Sequence, residues 1–329
     1  MEPYFRADQI FTELTPDALN DLALQLFRFQ FDKLKIYGDY CHYLGVDPKH
    51  VVRVEQIPFI PISFFTSHKI ITDGLDELLV FMSSGTTGMT RSLHYVHNPD
   101  WYIKSFTKGF NHFYGSPDQY CLLGLLPSYL EQGNSSLVYM VDQLMQQGGH
   151  PQSGFFLHDF DKLLSVLKHC QENAQKTMLI GVSYALLDFV EKHPLRFNDL
   201  IVVETGGMKG RRKEMVREEL HSLLSGGFGV DNIHSEYGMT ELLSQAYSAR
   251  EGKFATPPWM KVLIRDINDP RGFLENGRSG GINVIDLANV YSCAFIATQD
   301  IGKINKDGSF EVLGRYDNSD IRGCNLMIG

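Results

Sequence analysis

The chain has 329 residues, 43% hydrophobic and 21% charged, enough apolar material for one large domain or two moderate ones. A formal net charge of −9 argues against a duplex nucleic-acid partner, which favours a basic face, while leaving room for a local basic pocket for a small anion. Cys41, Cys121, Cys170, Cys293 and Cys324 are scattered without a CxxC, the start lacks a signal-peptide pattern, and no apolar run approaches the ~18 residues of a membrane span. A cytoplasmic protein with reduced thiols and no integral membrane association is therefore expected.

In chain order, "TPDALNDLALQLFRFQFDKLKIYGDYCHYLGV" places Thr15 as an N-cap and Pro16 at the first helical position. Apolar residues from Leu19 to Phe31 then recur at helical spacing. "IPFIPISFFTSHKI" (57–70), with Pro58 and Pro61, predicts an extended connector rather than a helix. "ELLVFMSS" and "SLHYVHN" predict strands on either side of a loop, and "DWYIKSFTKGFNHFYG" a helix.

Strands and helices then alternate. "YCLLGLLPS", "TMLIGVS" and "DLIVVETGG" read as strands. "SSLVYMVDQLMQQGG" (capped by Ser135 or Ser136), "FDKLLSVLKHCQENAQ", "YALLDFVEKH" and "KGRRKEMVREELHSLLSGG" read as helices. This order predicts an α/β fold with a mostly parallel sheet flanked by helices. Past "EGKFATPPW", the short runs "WMKVLIRD", "GGINVIDL", "AFIATQDIGKI" and "SFEVLGRYD" predict an antiparallel β subdomain. The expected units are 1–255, an α/β core with a helical N-terminal segment, and 256–329, the β subdomain.

The loop in "FMSSGTTGMTRSLHYV" (81–96) holds Ser83, Ser84, Gly85, Thr86, Thr87 and Gly88, with Arg91 just beyond. Read alone, it is either a polar turn between strands or a phosphate cradle, whose glycines admit close backbone approach and whose hydroxyls and N–H groups face anionic oxygens. The Walker A spacing is absent, as is a dinucleotide fingerprint. Three other stretches carry residues suited to a site. "HSEYGMTE" holds Tyr237, Gly238, Met239, Thr240 and Glu241. "TQDIGKI" offers Asp300, and "LGRYDNSDIRGCN" offers Arg315 and Cys324.

In this order and spacing the pieces resemble the adenylate-forming superfamily of acyl-CoA synthetases, peptide-synthetase adenylation domains and luciferases. "IPFIPISFF", "LLPSYLEQGNSSLVYMVD" and "GRYDNSDIRGCN" look most like its acyl-protein synthetase (LuxE-like) branch, related to phenylacetate-CoA-ligase-like enzymes. The resemblance implies the large N-terminal domain of that fold, with ATP and Mg²⁺ as cofactors. Ser83, Ser84, Gly85, Thr86, Thr87, Gly88 and Arg91 would then lie at phosphate, and Gly206 and Gly207 along adenine. Tyr237 would stack on adenine within the Tyr237–Gly238–Met239 turn, Thr240 would meet the α-phosphate, and Glu241 would ligate Mg²⁺. Asp300 and Arg315 would bind the ribose. Two departures stand out: Arg91 occupies the place of the usual lysine, and the superfamily's mobile C-terminal domain, with its adenylation lysine, is expected to be absent.

The chemistry implied is attack of a carboxylate, fatty in the LuxE-like branch, on the ATP α-phosphate, followed by transfer of the acyl group to a thiol. Cys324, beside Arg322, is the candidate acceptor, since a neighbouring cation favours the thiolate; a small filler role is the competing reading. The other four cysteines sit in apolar contexts and read as core. Tyr129, Gly181, Val182 and Tyr184 line up with segments that wall the acyl pocket in the superfamily, or are ordinary core. The histidines show no zinc-type grouping, and "KGRRKE" reads as a solvated helix start or a docking patch. Possible acyl acceptors or donors are an acyl reductase, an acyl carrier protein or coenzyme A. A ligase acting on coenzyme A or a carrier, and a non-catalytic nucleotide-binding subunit, are the alternatives; Glu241, Asp300 and Arg315 together speak against the latter.

Overall fold

The computed structural model describes residues 7–84, 90–127, 133–194, 196–197, 199–206, 212, 215–269 and 271–316. Helix α1 (Pro16–Lys33) starts as its sequence predicts: Pro16 occupies the first turn and the Thr15 hydroxyl accepts the Ala18 N–H at 3.2 Å. The helical run does not continue unbroken. The chain turns at Leu34, and α2 (Lys35–Tyr43) follows, because Asp73 intervenes. Its N–H bonds the Lys33 carbonyl at 2.8 Å, and its carboxylate accepts the Lys35 N–H at 3.2 Å.

The 57–70 segment is not extended throughout. After the two-residue strand β1 (Ile60–Pro61), one helical turn, α3 (Phe64–Ser67), buries Phe65. No proline follows Pro61 there, so the Phe65 N–H is free to bond the Ile62 carbonyl at 3.1 Å. Strands β2 (Leu79–Met82) and β3 (Leu93–Val96) pair antiparallel with Met82 opposite Leu93, making the hydroxyl-rich stretch a hairpin connection. Helix α4 (Pro99–Tyr114) follows, capped by the Asn98 side chain.

The alternating region supplies β4 (Cys121–Leu125), α5 (Ser136–Gly148), β5 (Gly154–Phe155), α6 (Phe160–Glu172), β6 (Thr177–Val182), α7 (Ser183–Lys192) and β7 (Leu200–Thr205). Helix α8 (Arg217–Phe228) and strands β8 (His234–Tyr237) and β9 (Ala246–Ser248) complete it. The sheet runs β5-β4-β6-β7-β8-β9, every neighbour parallel except the antiparallel β9. Strands β4, β6 and β7 are almost wholly buried, as parallel strands covered on both faces must be. The α8 helix begins at Arg217 rather than with "KGRRKE": Val216 is extended and no side chain caps the helix before it. Within that cluster Arg212 is spent on Asp188 and Glu191 of α7.

The C-terminal strands β10 (Met260–Arg265), β11 (Gly280–Asp286), β12 (Phe295–Ile304) and β13 (Phe310–Arg315) form the expected antiparallel sheet. Its far edge, however, is β1, paired parallel to β12 through Ile60 and Ile296. The sheet therefore takes a strand from the N-terminal part of the chain. Gln30 ties the same two regions: its amide Nε2 meets the carbonyls of Asn289, Val290 and Ser292 at 2.7 to 3.1 Å, and its Oε1 accepts the Ala294 N–H at 3.0 Å. Among the described residues no helix is long and apolar enough to cross a membrane.

Gln30 has no exposed surface. Gln30→Leu keeps its bulk but leaves those backbone groups unpaired, with an expected cost of about 2–4 kcal/mol. Urea unfolding followed by tryptophan fluorescence checks it; an unchanged midpoint removes Gln30 from the list of structural ties.

Candidate active site

Parallel strands β6, β7 and β8 all end at one edge of the sheet, the edge where open α/β folds hold their ligands. At the end of β7, Gly206 adopts φ +65°, a conformation glycine takes without strain, and its carbonyl accepts the Ser183 hydroxyl at 2.5 Å. At the end of β8, Gly238 is needed for space: a Cβ there would stand 2.3 Å from Glu236 Oε1. The Glu236 carboxylate folds back over the turn and accepts the Thr205 hydroxyl at 2.6 Å.

Residues 239–244 follow, held by five side chains from elsewhere in the chain. Buried Asp286, at the end of β11, accepts the Leu243 and Ser244 N–H groups and the Ser244 hydroxyl at 2.6 to 2.9 Å. Trp259 donates to Ser244 Oγ, and Ser105 of α4 lies 3.2 Å from it. Asn289 donates to the Glu241 carbonyl at 2.8 Å. His94 of β3 meets the Thr240 carbonyl at 2.8 Å through Nδ1 and Ser292 Oγ at 2.9 Å through Nε2.

On this scaffold, residues far apart in sequence converge. The Ser83 N–H bonds the Ser92 carbonyl at 3.0 Å and Ser83 Oγ accepts the Ser92 N–H at 2.9 Å, closing the base of the hairpin. The Ser92 hydroxyl meets Thr66 Oγ1 at 3.2 Å and stands near enough to the Glu241 carboxylate to favour its charged form. Tyr237 donates its hydroxyl to Asp300 Oδ2 at 2.8 Å, joining the six-stranded sheet to β12. Its ring packs edge-on against Phe254 and Phe310. Asp300 lies opposite Arg315 in the β12–β13 pair, and the Arg315 guanidinium bonds Gln299 at 3.0 Å while its field reaches both Asp300 and Glu241. Half-buried Arg265 also faces Asp300; it is fixed by the Ile282 and Thr298 carbonyls and Asn283.

The electrostatics follow from this burial. Glu241 is 5% exposed, and loss of water raises its pKa against the opposing pull of the Ser92 hydroxyl and Arg315. Asp300 is raised for the same reason, moderated by Tyr237, Arg315 and Arg265. Burial pushes Glu236 up to about 7, helped by neighbouring Glu204 and opposed by the Thr205 hydrogen bond. His94 is driven down to about 4 by burial. Glu241 therefore fits a cation: a desolvated carboxylate with no salt bridge among the described residues gains what it lost to burial when a hard divalent ion arrives. Among the described residues no group of three or more His, Cys, Asp or Glu side chains stands ready for a metal, so a cation here would take its other oxygens from substrate and water.

The structure thus brings Ser83, Tyr237, Glu241, Asp300 and Arg315 into one region, with Gly238, Met239 and Thr240 on the connecting turn. Ser84 and Arg91 are exposed at the hairpin, Arg91 touching Met82 Sδ at 3.5 Å. Gly85, Thr86, Thr87, Gly88, Tyr129, Gly207 and Cys324 lie outside the described residues. Gly181 is wedged between strand and helix, where a Cβ would stand under 3 Å from Leu125 and Leu186; Val182 and Tyr184 are buried beside it. Cys41, Cys121, Cys170 and Cys293 are buried and free, and burial pushes the Cys41 and Cys121 thiols up to about 12. Residues missed from sequence were Ser92, His94, Asp286 and Arg265. A signal existed for the first two, since their spacing puts both on one face of the strand entering from the loop.

A family model described as acyl-protein synthetase, LuxE, matches residues 13–329. A long-chain-fatty-acid–luciferin-component ligase from Vibrio harveyi is 25% identical over 325 residues, covering 92% of this chain and 85% of that protein. Among solved structures, ATP-bound MatB from Rhodopseudomonas palustris is 20% identical with a TM-score of 0.52, covering 72% of this chain and 47% of that one. A 2-hydroxyisobutyryl-CoA ligase in an open conformation with 2-HIB-AMP and CoA is 9% identical with a TM-score of 0.68, covering 97% of this chain and 75% of that one. The chain spans about half the length of MatB and shares with both the fold of adenylate-forming enzymes.

Glu236 yields a pH test. A carboxyl raised to about 7 contributes stability that is complete below its ordinary 4.5 and lost as pH rises through 7. Glu236→Gln keeps an acceptor for Thr205 without the charge, so it should stabilise the protein by roughly 2 kcal/mol at pH 8.5, the gain fading at pH 5. Urea midpoints at both pH values measure it; a gain that ignores pH contradicts the assignment.

Proposed function

Because the chain belongs to the LuxE acyl-protein synthetase family, we propose that it activates a fatty acid with ATP and passes the acyl group to a protein thiol. The observation that carries this reading is the convergence of Ser83 and Ser92 of the hairpin, Glu241 of the central turn, and Asp300 and Arg315 of the second sheet. No local packing requirement calls for buried Glu241, half-buried Ser83, Ser92 and Asp300 and the exposed Arg315 to meet from three separate sheets.

In this reading the hairpin hydroxyls and N–H groups, with Arg91, face the triphosphate. Asp300 accepts the ribose hydroxyls, with Arg315 beside it, and Tyr237 offers its ring to adenine along the Gly206–Gly207 turn. Thr240 contacts the α-phosphate and Glu241 holds Mg²⁺. The ion supplies charge neutralisation at the phosphates. The fatty carboxylate oxygen bonds the α-phosphorus, the bond from phosphorus to its bridging oxygen breaks, and pyrophosphate leaves. The work of the chain is to orient the two reactants and to fix donors where charge builds up, since no proton need move. Gly181, Val182, Tyr184 and Tyr129 are placed along the acyl chain. A thiolate, which we assign to Cys324, then attacks the acyl carbon and AMP departs.

Acid-dependent pyrophosphate–ATP exchange tests the first half-reaction. Glu241→Gln should lower exchange by about 10²–10³-fold with little change in melting temperature, the scale of losing one fixed electrostatic contact. Undiminished exchange would dismiss Glu241 as the metal carboxylate. Radiolabelled fatty acid with ATP tests the second: label should stay on the denatured chain and disappear in Cys324→Ser. Label found only on added coenzyme A supports the ligase alternative instead.

A further inference from the structure

We propose that His94 is a positioning residue for adenylation, holding the Thr240 carbonyl so that Thr240 and Glu241 face the hairpin in a fixed orientation. The proposal rests on the nucleotide reading of Glu241 above and adds a residue to it. Ser92 and His94 are two residues apart on the strand leaving the hairpin, so their side chains share one face. His94 bonds the Thr240 backbone of the short turn, and the Ser92 hydroxyl stands near the Glu241 carboxylate and favours its charged form. Through His94, the strand that follows the hydroxyl-rich loop also fixes the backbone next to Glu241.

The contacts fix the tautomer. A carbonyl oxygen only accepts, so Nδ1 carries the proton given to Thr240, and Nε2 must accept from the Ser292 hydroxyl. Ser292 is itself anchored, its carbonyl bonded by Gln30 of α1 at 2.7 Å, and the His94 ring is braced edge-on by Phe65 at 5.6 Å. The ring has no exposed surface and, driven down to about 4 by burial, stays neutral at physiological pH, so this geometry persists.

The competing roles separate on a pair of substitutions in the full chain. His94→Asn places an amide N–H near the Nδ1 position and keeps the Thr240 contact. His94→Gln places one near Nε2 and loses it. With matched melting temperatures, Asn should keep exchange within about 3-fold of the parent, and Gln should lose about 10²-fold in kcat with little change in KM for ATP, as misorientation near the reacting atoms does. Equal activity of the two, or losses that track melting temperature alone, overturn the proposal. A second readout does not depend on activity: the ¹⁵N shifts of His94 should report a neutral ring protonated at Nδ1 at pH 7, and an Nε2–H tautomer overturns it. If the parent protein shows no exchange with any fatty acid, the adenylation reading falls and the proposal with it. If the parent exchanges and Glu241→Gln does not, but Asn and Gln behave alike, the positioning role alone is lost.

Discussion

Asp286, with no exposed surface, is the interaction on which the site geometry depends. Burying a carboxylate costs several kcal/mol unless hydrogen-bond donors replace water, and here the replacement is complete: the N–H groups of Leu243, Ser244 and Ala288 and the Ser244 hydroxyl. None of these can swing away without leaving the charge unpaired. The segment after β8 is therefore pinned to the end of β11, and Glu241, two residues before the first donor, inherits a fixed place. Burial raises the Asp286 carboxyl while all four bonds pull it back, which is the signature of a charge retained for its geometry.

From that anchor the remaining ties follow as consequences of topology. A parallel sheet delivers its loops to one edge, and the antiparallel sheet presents Asp300 and Arg315 there because Tyr237 ties the two sheets together at that point while Arg265 braces β11 and β12 within their own sheet. The hairpin is the third body. It has two strands of four residues each, too few to be stable alone, so it must borrow stability from its surroundings. His94 and Phe81, both without exposed surface, supply that attachment, and the same His94 contact that seats the hairpin also touches the turn that carries Glu241.

The order of elements was legible in the sequence because hydrophobic periodicity and caps are local. Thr15 and Ser135 start their helices as read, and the alternation from β4 to β8 gives the parallel sheet. What failed was decided by distant partners. The break at Leu34 answers to Asp73, the strand role of Ile60 and Pro61 needs β12, and the later start of α8 goes with Arg212 being drawn to α7. The site divides in the same manner. Tyr237, Glu241, Asp300 and Arg315 stand in short motifs whose residue types are unusual enough to notice. Asp286 and Arg265 sit in strands that look like any other, and only the fold shows that one holds the turn and the other faces Asp300. Ser92 and His94 lie between: their alternation is readable, but which face of the hairpin meets the core is not.

The burial pattern also bears on why the site is built from acids held above their ordinary pKa. Glu241, Asp300 and Glu236 are all raised by burial, and Glu204 lies close to Glu236. Each costs stability when ionised, and the folded chain tolerates that cost because Asp286, Gln30 and the two sheets over-determine the backbone around them. Residues chosen for stability alone would be apolar at these positions. A desolvated carboxylate is, however, a stronger ligand for a divalent ion or a sugar hydroxyl than a solvated one, because water no longer competes. A ligand that binds only the folded chain returns stability forgone in the free protein. On the proposed reading, arrival of a cation would favour the ionised form of Glu241, which burial disfavours in the free protein.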